Sequence, residues 1–265
     1  MRKLFLRLWQ VNWAEQWQYR ANLLTFALYG LVSPIVYLSV WRTIATNQNG
    51  VAGLSANDFT AYYLTLLLVD TFTSEINLQL LAHKIQDGTL SAELLQPIHP
   101  VLSRALVNNL ANKALMALLL LPIWGLLVLL FRPDFSGVTP MHLLLALPAL
   151  GAGFAIHFLL GALVICSGFW ITRVYALSEF IYAFATLLGG VFVPLSLLPG
   201  FAQMAAQLLP FQLYLYFPIE LILGKLAPGQ IGLNMALQAA WLLILFLAFR
   251  YAWRAGLRRF SAVGA

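Results

Sequence analysis

Two acids, Asp70 and Glu75, stand inside one long apolar run of this sequence, and His157 stands inside another. A carboxylate at the centre of a bilayer costs about 2.5–3.5 kcal/mol on insertion scales, so such groups face protein or water rather than lipid. Their chemistry is that of proton transfer or of polar contact with something that crosses. Five residues separate Asp70 from Glu75, which on a continuous helix sets them about 140° apart, so they are not a paired acid–base dyad. Asp70, Ser74 and Asn77, with Thr73, fall on one helix face. That stripe suits the lining of a transport path and, equally, hydrogen bonds to a neighbouring helix. His157 reads either as a group facing a cavity or as a structural histidine bonded to a neighbour. Glu220, preceded by Gln212 and Tyr216, either neutralises Lys225 or shapes an outer gate.

Signatures of catalysis are lacking. His83, His99, His142 and His157 form no H-x-x-x-H or H-E-x-x-H arrangement. No G-x-S-x-G elbow and no G-x-x-x-x-G-K-[ST] phosphate loop occurs. The single cysteine, Cys166, reads as a small packing residue. No metal or other cofactor is expected on this chain, and any ATP-driven step needs another polypeptide.

The elements that position these groups follow from composition. Of 265 residues, 62% are hydrophobic and 9% are charged, with a mean hydropathy of +0.84. Soluble domains carry about 25% charge, so a soluble enzyme and a disordered chain are both excluded. A helix crossing the hydrocarbon core needs about 20 mostly apolar residues. Six runs qualify: Asn22 to Trp41, Phe59 to Leu81, Leu106 to Phe131, Met141 to Trp170, Val174 to Pro194, and Leu233 to Trp253. The expected fold is therefore all-α and polytopic, one transmembrane domain spanning residues 1–265. Between the fifth and sixth runs, residues 195–224 are interrupted by proline. Pro194, Pro199 and Pro210 stop helices there, because proline lacks an N–H and clashes with the preceding turn. The pieces between them are too short to cross and read as a re-entrant pair of helices dipping into the outer leaflet. Gly189-Gly190 in the fifth run reads as a close-packing site.

Charge sets the orientation. With both termini inside, twelve of the fifteen Lys and Arg residues are cytoplasmic, Lys113 among them, and only Arg42, Arg132 and Lys225 are outside. The net charge of +6 is then a topology signal and a contact with anionic headgroups, not a nucleic-acid footprint. Residues 1–20 carry Trp9, Trp13 and Trp17 at a spacing of four, among basic residues. They read as an amphipathic helix on the cytoplasmic membrane surface rather than a cleavable signal.

The cytoplasmic loop 83–100 is the most informative segment. Gly88 permits a turn, Thr89 or Ser91 can cap a short helix, and Leu90, Leu94 and Leu95 are expected on one apolar face before Pro97 ends it. The run Ile85-Gln86-Asp87-Gly88-Thr89-Leu90-Ser91-Ala92-Glu93-Leu94-Leu95-Gln96-Pro97 resembles the Ile-x-x-Gly-x-Leu-x-x-x-Leu-Leu-x-Pro motif of permease subunits of ATP-binding-cassette exporters of the type-2 class. The tail Gly256-Leu257-Arg258-Arg259-Phe260-Ser261-Ala262-Val263-Gly264 resembles that subgroup's basic, glycine-ended tail, with Phe260 where tyrosine is commoner.

The resemblance implies a second permease, identical or paralogous, and two copies of a separate ATPase that carries the ATP and Mg. Ile85, Gln86, Asp87, Gly88, Leu90, Glu93, Leu94, Leu95 and Pro97 would couple to that ATPase, and the first twenty residues would form a connecting helix. Asp70, Ser74, Asn77 and His157 would line the path, with Pro194, Pro199, Pro210 and Glu220 at an outer gate. Export of a small amphipathic or hydrophobic cargo across a bacterial inner membrane completes the picture. The rivals are a proton-coupled carrier using Asp70, Glu75 and His157, and a membrane enzyme acting on lipid.

Overall fold

The computed structural model describes residues 2–75 and 78–260. Asn77 and the tail from Ser261 to Gly264 lie outside the described residues. Everything regular among the described residues is helical, apart from one isolated bridge between Val51 and Leu54. In chain order the α-helices are α1 (Arg2–Gln18), α2 (Arg20–Asn47), α3 (Ala56–Thr73), α4 (Leu78–Gln86), α5 (Leu90–Leu94), α6 (Leu106–Phe131), α7 (Pro140–Cys166), α8 (Val174–Leu188), α9 (Gly200–Leu208), α10 (Phe211–Tyr214), α11 (Tyr216–Ile222) and α12 (Pro228–Arg259). A π-helical turn, Pro100–Ala105, leads into α6, and a 3-10 turn, Ser167–Phe169, ends α7.

Four stretches are long and apolar enough to cross a membrane: Ala21–Asn47, Pro100–Phe131, Pro140–Phe169 and Pro228–Arg259. Four such helices are the pattern of a multi-pass membrane protein. Local chemistry explains their starts. Ser55 Oγ accepts from the Asp58 amide at 3.1 Å while Asp58 Oδ2 accepts from the Ser55 amide at 2.9 Å, a reciprocal cap on α3. Pro140 and Pro228 occupy first-turn positions, where the missing N–H costs nothing.

The second and fifth apolar runs depart from the continuous helices expected. The second stops at Thr73. Ser74 is extended, with φ −61° and ψ 145°, and helix resumes at Leu78. The fifth is only 15 residues long and ends at Gly189, followed by Gly190 at φ +84°. The pair ends the helix and is closely packed there, since a Cβ at Gly190 would stand 2.5 Å from the Tyr62 hydroxyl and 3.1 Å from the Tyr216 ring. Beyond Pro210, the second short piece is itself divided at Leu215 into α10 and α11.

In lipid, carbonyls released by such breaks must find partners within the protein. They do so here through long side chains from other helices. Tyr62 donates to Gly190 O at 2.8 Å, and Tyr63 and Trp41 donate to Phe192 O at 2.9 and 3.0 Å. Gln238, buried in α12, donates to Ala149 O of α7 at 2.9 Å and to Leu213 O of α10 at 2.8 Å. α7 is the central post, packed by α3, α10, α11 and α12.

The two ends of the bundle differ. α1 lies against the start of α6, where Gln16 bonds Asn108 and Asn112. The α4–α5 hairpin, the 170–173 loop and the last turns of α12 gather at that same end. At the opposite end Lys225 Nζ pairs with Asp58 Oδ1 at 3.1 Å, and the Arg42 guanidinium sits 5.4 Å from the Phe131 ring centre.

Candidate functional site

The hairpin at the basic end is built from charge. α4 runs out at Gln86, and Gly88 turns the chain at φ +76°. Asp87 Oδ1 accepts from the Thr89 amide and hydroxyl at 3.2 and 2.7 Å, which holds its carboxyl below the ordinary value. Thr89 thus serves the turn and does not cap α5. Lys84 and Arg104 close on Glu93 Oε1 at 2.5 and 3.4 Å, clamping α5 between α4 and the approach to α6. Gln86 donates to Thr172 O at 2.8 Å. His99 Nδ1 accepts the amides of Val101 and Leu102, and its ring lies 4.9 Å from that of Trp253 in α12.

Two expectations change at this point. Leu90, Leu94 and Leu95 do not share a face. Leu90 is fully buried and Leu95 is 88% exposed, because a separation of five residues is about 140° around a helix. Glu93, expected among the coupling residues, is buried and spent on an internal clamp. The surface that the hairpin offers includes Gln86, Asp87, Thr89, Ala92, Leu95, Gln96 and Pro97, with Ile85 and Gly88 buried beneath it and Leu94 half-buried.

The second feature is a cavity of about 440 Å³ at the break between α3 and α4. Asp70, Ser74, Glu75 and His157 all line it. His157 Nδ1 donates to Thr73 O at 3.2 Å, and its ring stacks on Tyr214 at 4.4 Å. Both readings of this histidine hold at once: it is bonded to a neighbouring helix and it faces a cavity. Lys113, counted above among the cytoplasmic charges, is instead buried in α6. Its Nζ donates to Ser74 O and, at 3.4 Å, to Thr71 O, and lies 4.8 Å from the Phe154 ring centre. Asp70 and Glu75 are the carboxylates within its electrostatic reach. So α3 ends on a cation from α6 and an imidazole from α7.

Glu179 and the rings of Tyr29, Tyr182 and Tyr214 complete the polar lining. Sequence reasoning missed Lys113, Glu179 and these tyrosines. The signal was present for the two charges, since each interrupts an apolar run as Asp70 does.

The expected outer-gate residues lie elsewhere. Pro194 and Pro199 flank the 3-10 turn before α9, and Pro210 precedes α10. Glu220 is half-buried in α11 and makes no ion pair with Lys225, which is paired to Asp58. Among the described residues no three His, Cys, Asp or Glu side chains converge to hold a metal ion.

A family model described as ABC-2 family transporter protein matches residues 31–264. The chain belongs to the ABC-2 transporter family. The match begins inside α2 and takes in the hairpin and all of the cavity lining except Tyr29 and Gly30. As an ABC-2 protein the chain is a transport permease rather than an enzyme, and membership implies association with an ABC ATPase. No curated protein and no solved structure matched it.

Proposed function

We propose that this protein is the membrane-spanning permease of an ATP-driven ABC exporter, worked by a separate ATPase through the α4–α5 hairpin. The observation that carries this reading is the hairpin itself. Its exposed tip is polar apart from Ala92, Leu95 and Pro97, yet its base is locked by Lys84, Glu93 and Arg104 and tied to the 170–173 loop and to α12. A push at the tip then reaches α4, α7 and α12 together. No phosphate loop occurs in the sequence, so the ATP and Mg belong to the partner, in two copies.

Pairing with an identical or paralogous permease completes the path. The broken α3–α4 pair and the short α8 join the four long helices to give six crossings, and α9, α10 and α11 form the re-entrant segment. The charge distribution supports both termini on the cytoplasmic side, and the resemblance to type-2 exporters supports a bacterial inner membrane. Alternating states follow from differential affinity of the closed and open ATPase dimer for two permease conformers.

Co-expression with candidate ABC ATPases from the same genome, followed by affinity purification, tests this. Wild-type chain brings the ATPase with it and Leu95→Asp does not. Unchanged co-purification and unchanged transport in Leu95→Asp remove the coupling assignment.

The gathering of Asp70, Glu75 and His157 around one cavity supports a second reading, a proton-driven carrier. Transport that collapses with an uncoupler and survives ATP depletion selects it.

A further inference from the structure

We infer that the cavity between α2, α3, α7 and α8 is a binding site for a lipophilic organic cation. This deepens the permease reading by naming a cargo class, and it rests on that reading only for the word cargo. Three carboxylates, Asp70, Glu75 and Glu179, line the cavity, and no Lys or Arg is among the lining residues. The one nearby ammonium, Lys113, stands outside the lining with its protons committed to the Thr71 and Ser74 carbonyls and its charge over Phe154. Lys113 therefore faces two of these acids, and Glu179 lies outside its reach. Oε2 of Glu75 is buried with no hydrogen-bond partner among the described residues. A buried carboxylate oxygen without a partner is costly, and a cationic ligand relieves that cost.

The remainder of the lining suits the body of such a ligand. Tyr29 and Tyr182 add aromatic rings to the lining, a side-chain type whose faces attract cations, while the Tyr214 ring is stacked on His157. Leu66, Leu160 and Leu215 add apolar wall. The volume falls within the range of roughly 300–1,000 Å³ usual for small-molecule sites. Glu179 is an exposed lining residue on α8, and an acid there faces water or protein rather than lipid. A cation therefore meets a carboxylate at the entrance before it reaches Asp70 and Glu75.

The test uses the full chain in nanodiscs, with empty nanodiscs as the blank. Equilibrium dialysis compares tetraphenylphosphonium with tetraphenylborate, an anion of the same shape. The expected result is saturable binding of the phosphonium only, weakened about tenfold or more by Asp70→Asn, which removes one charge from a low-dielectric site, and to a smaller extent by Glu179→Gln at the exposed mouth. Asp134→Asn, in the turn at the far end, binds as wild type. If Asp70→Asn fails to fold by size exclusion, Tyr182→Leu on α8 tests the same cavity without disturbing a buried charge. Equal binding of both ions overturns the inference, as does undiminished phosphonium binding in the folded variants. Loss of ATPase co-purification alongside intact cation preference removes the permease reading and leaves this site standing. Absence of cation preference in a chain that assembles with its ATPase removes this inference alone.

Discussion

Lys113 reaches from α6 to the carbonyl oxygen of Ser74, at the point where α3 stops being a helix. An ammonium at a helix C-terminus meets the negative end of the helix dipole as well as an orphan carbonyl. Buried beside Asp70 and Glu75, it also balances charge that lipid would not tolerate. This side chain is thus a structural pin, although the sequence counts it as a surface charge.

Replacing that pin is expected to be severe. Lys113→Met leaves two buried carboxylates without their counter-charge, a loss on the order of 3 kcal/mol. Lys113→Met combined with Asp70→Asn is expected to cost less than the sum of the two single changes, because the partners are removed together. Unfolding in mixed micelles monitored by tryptophan emission measures both. Strict additivity would mean that the two residues do not interact.

His99 gives the hairpin a pH dependence. Burial holds its imidazole below the ordinary value of 6.5, and neutral Nδ1 accepts two backbone amides. A group whose folded value is lowered contributes stability that is full above its unfolded value and is lost as pH falls through the folded one. Acidification below about pH 6.5 is therefore expected to lower the melting temperature and to change emission from Trp253, 4.9 Å away. His99→Asn retains an acceptor without a titration, so its melting temperature flattens over the same range.

Glu93 and Leu95 should separate by phenotype. Glu93→Gln weakens the clamp on Lys84 and Arg104, costs about 1–2 kcal/mol of hairpin stability, and speeds amide exchange across residues 84–104. Leu95→Asp, on a side chain already exposed, leaves melting temperature and exchange unchanged while abolishing ATPase association. A Leu95→Asp chain that unfolds early would show that Leu95 packs against this chain and not against a partner.

At the end of α8, Gly190→Ala is expected to cost about 2 kcal/mol or more. The backbone there has φ +84°, and a new Cβ would stand 2.5 Å from the Tyr62 hydroxyl that caps it. Tyr62→Phe removes only the hydrogen bond and is expected to cost about 1 kcal/mol. Denaturation midpoints rank the two, and the reverse order would contradict the geometry.

The long helices were legible because length and apolarity suffice to specify a bilayer-crossing helix. The start of α9 after Pro199 and its stop before Pro210 were legible because proline acts locally. The break after Thr73 was not. No proline or glycine occurs between Thr73 and Leu78, and the chain leaves helix there because Lys113 and His157, from two other helices, take up the freed carbonyls. The separation of Leu90 from Leu95 was legible too, since five residues are about 140° around a helix, but the inward clamp on Glu93 was not, because Lys84 and Arg104 come from flanking elements.

From sequence alone came an all-helical membrane protein, a family resemblance carried by residues 85–97, and the polar groups Asp70, Glu75 and His157 that lipid could not hold. These depend on composition and on neighbours in the chain. Only the tertiary structure decided that the three line a single cavity with Glu179, that Lys113 is buried behind it, and that Glu93 faces inward. Charges in a bilayer must find partners, and which partners they find depends on how helices distant in sequence pack together.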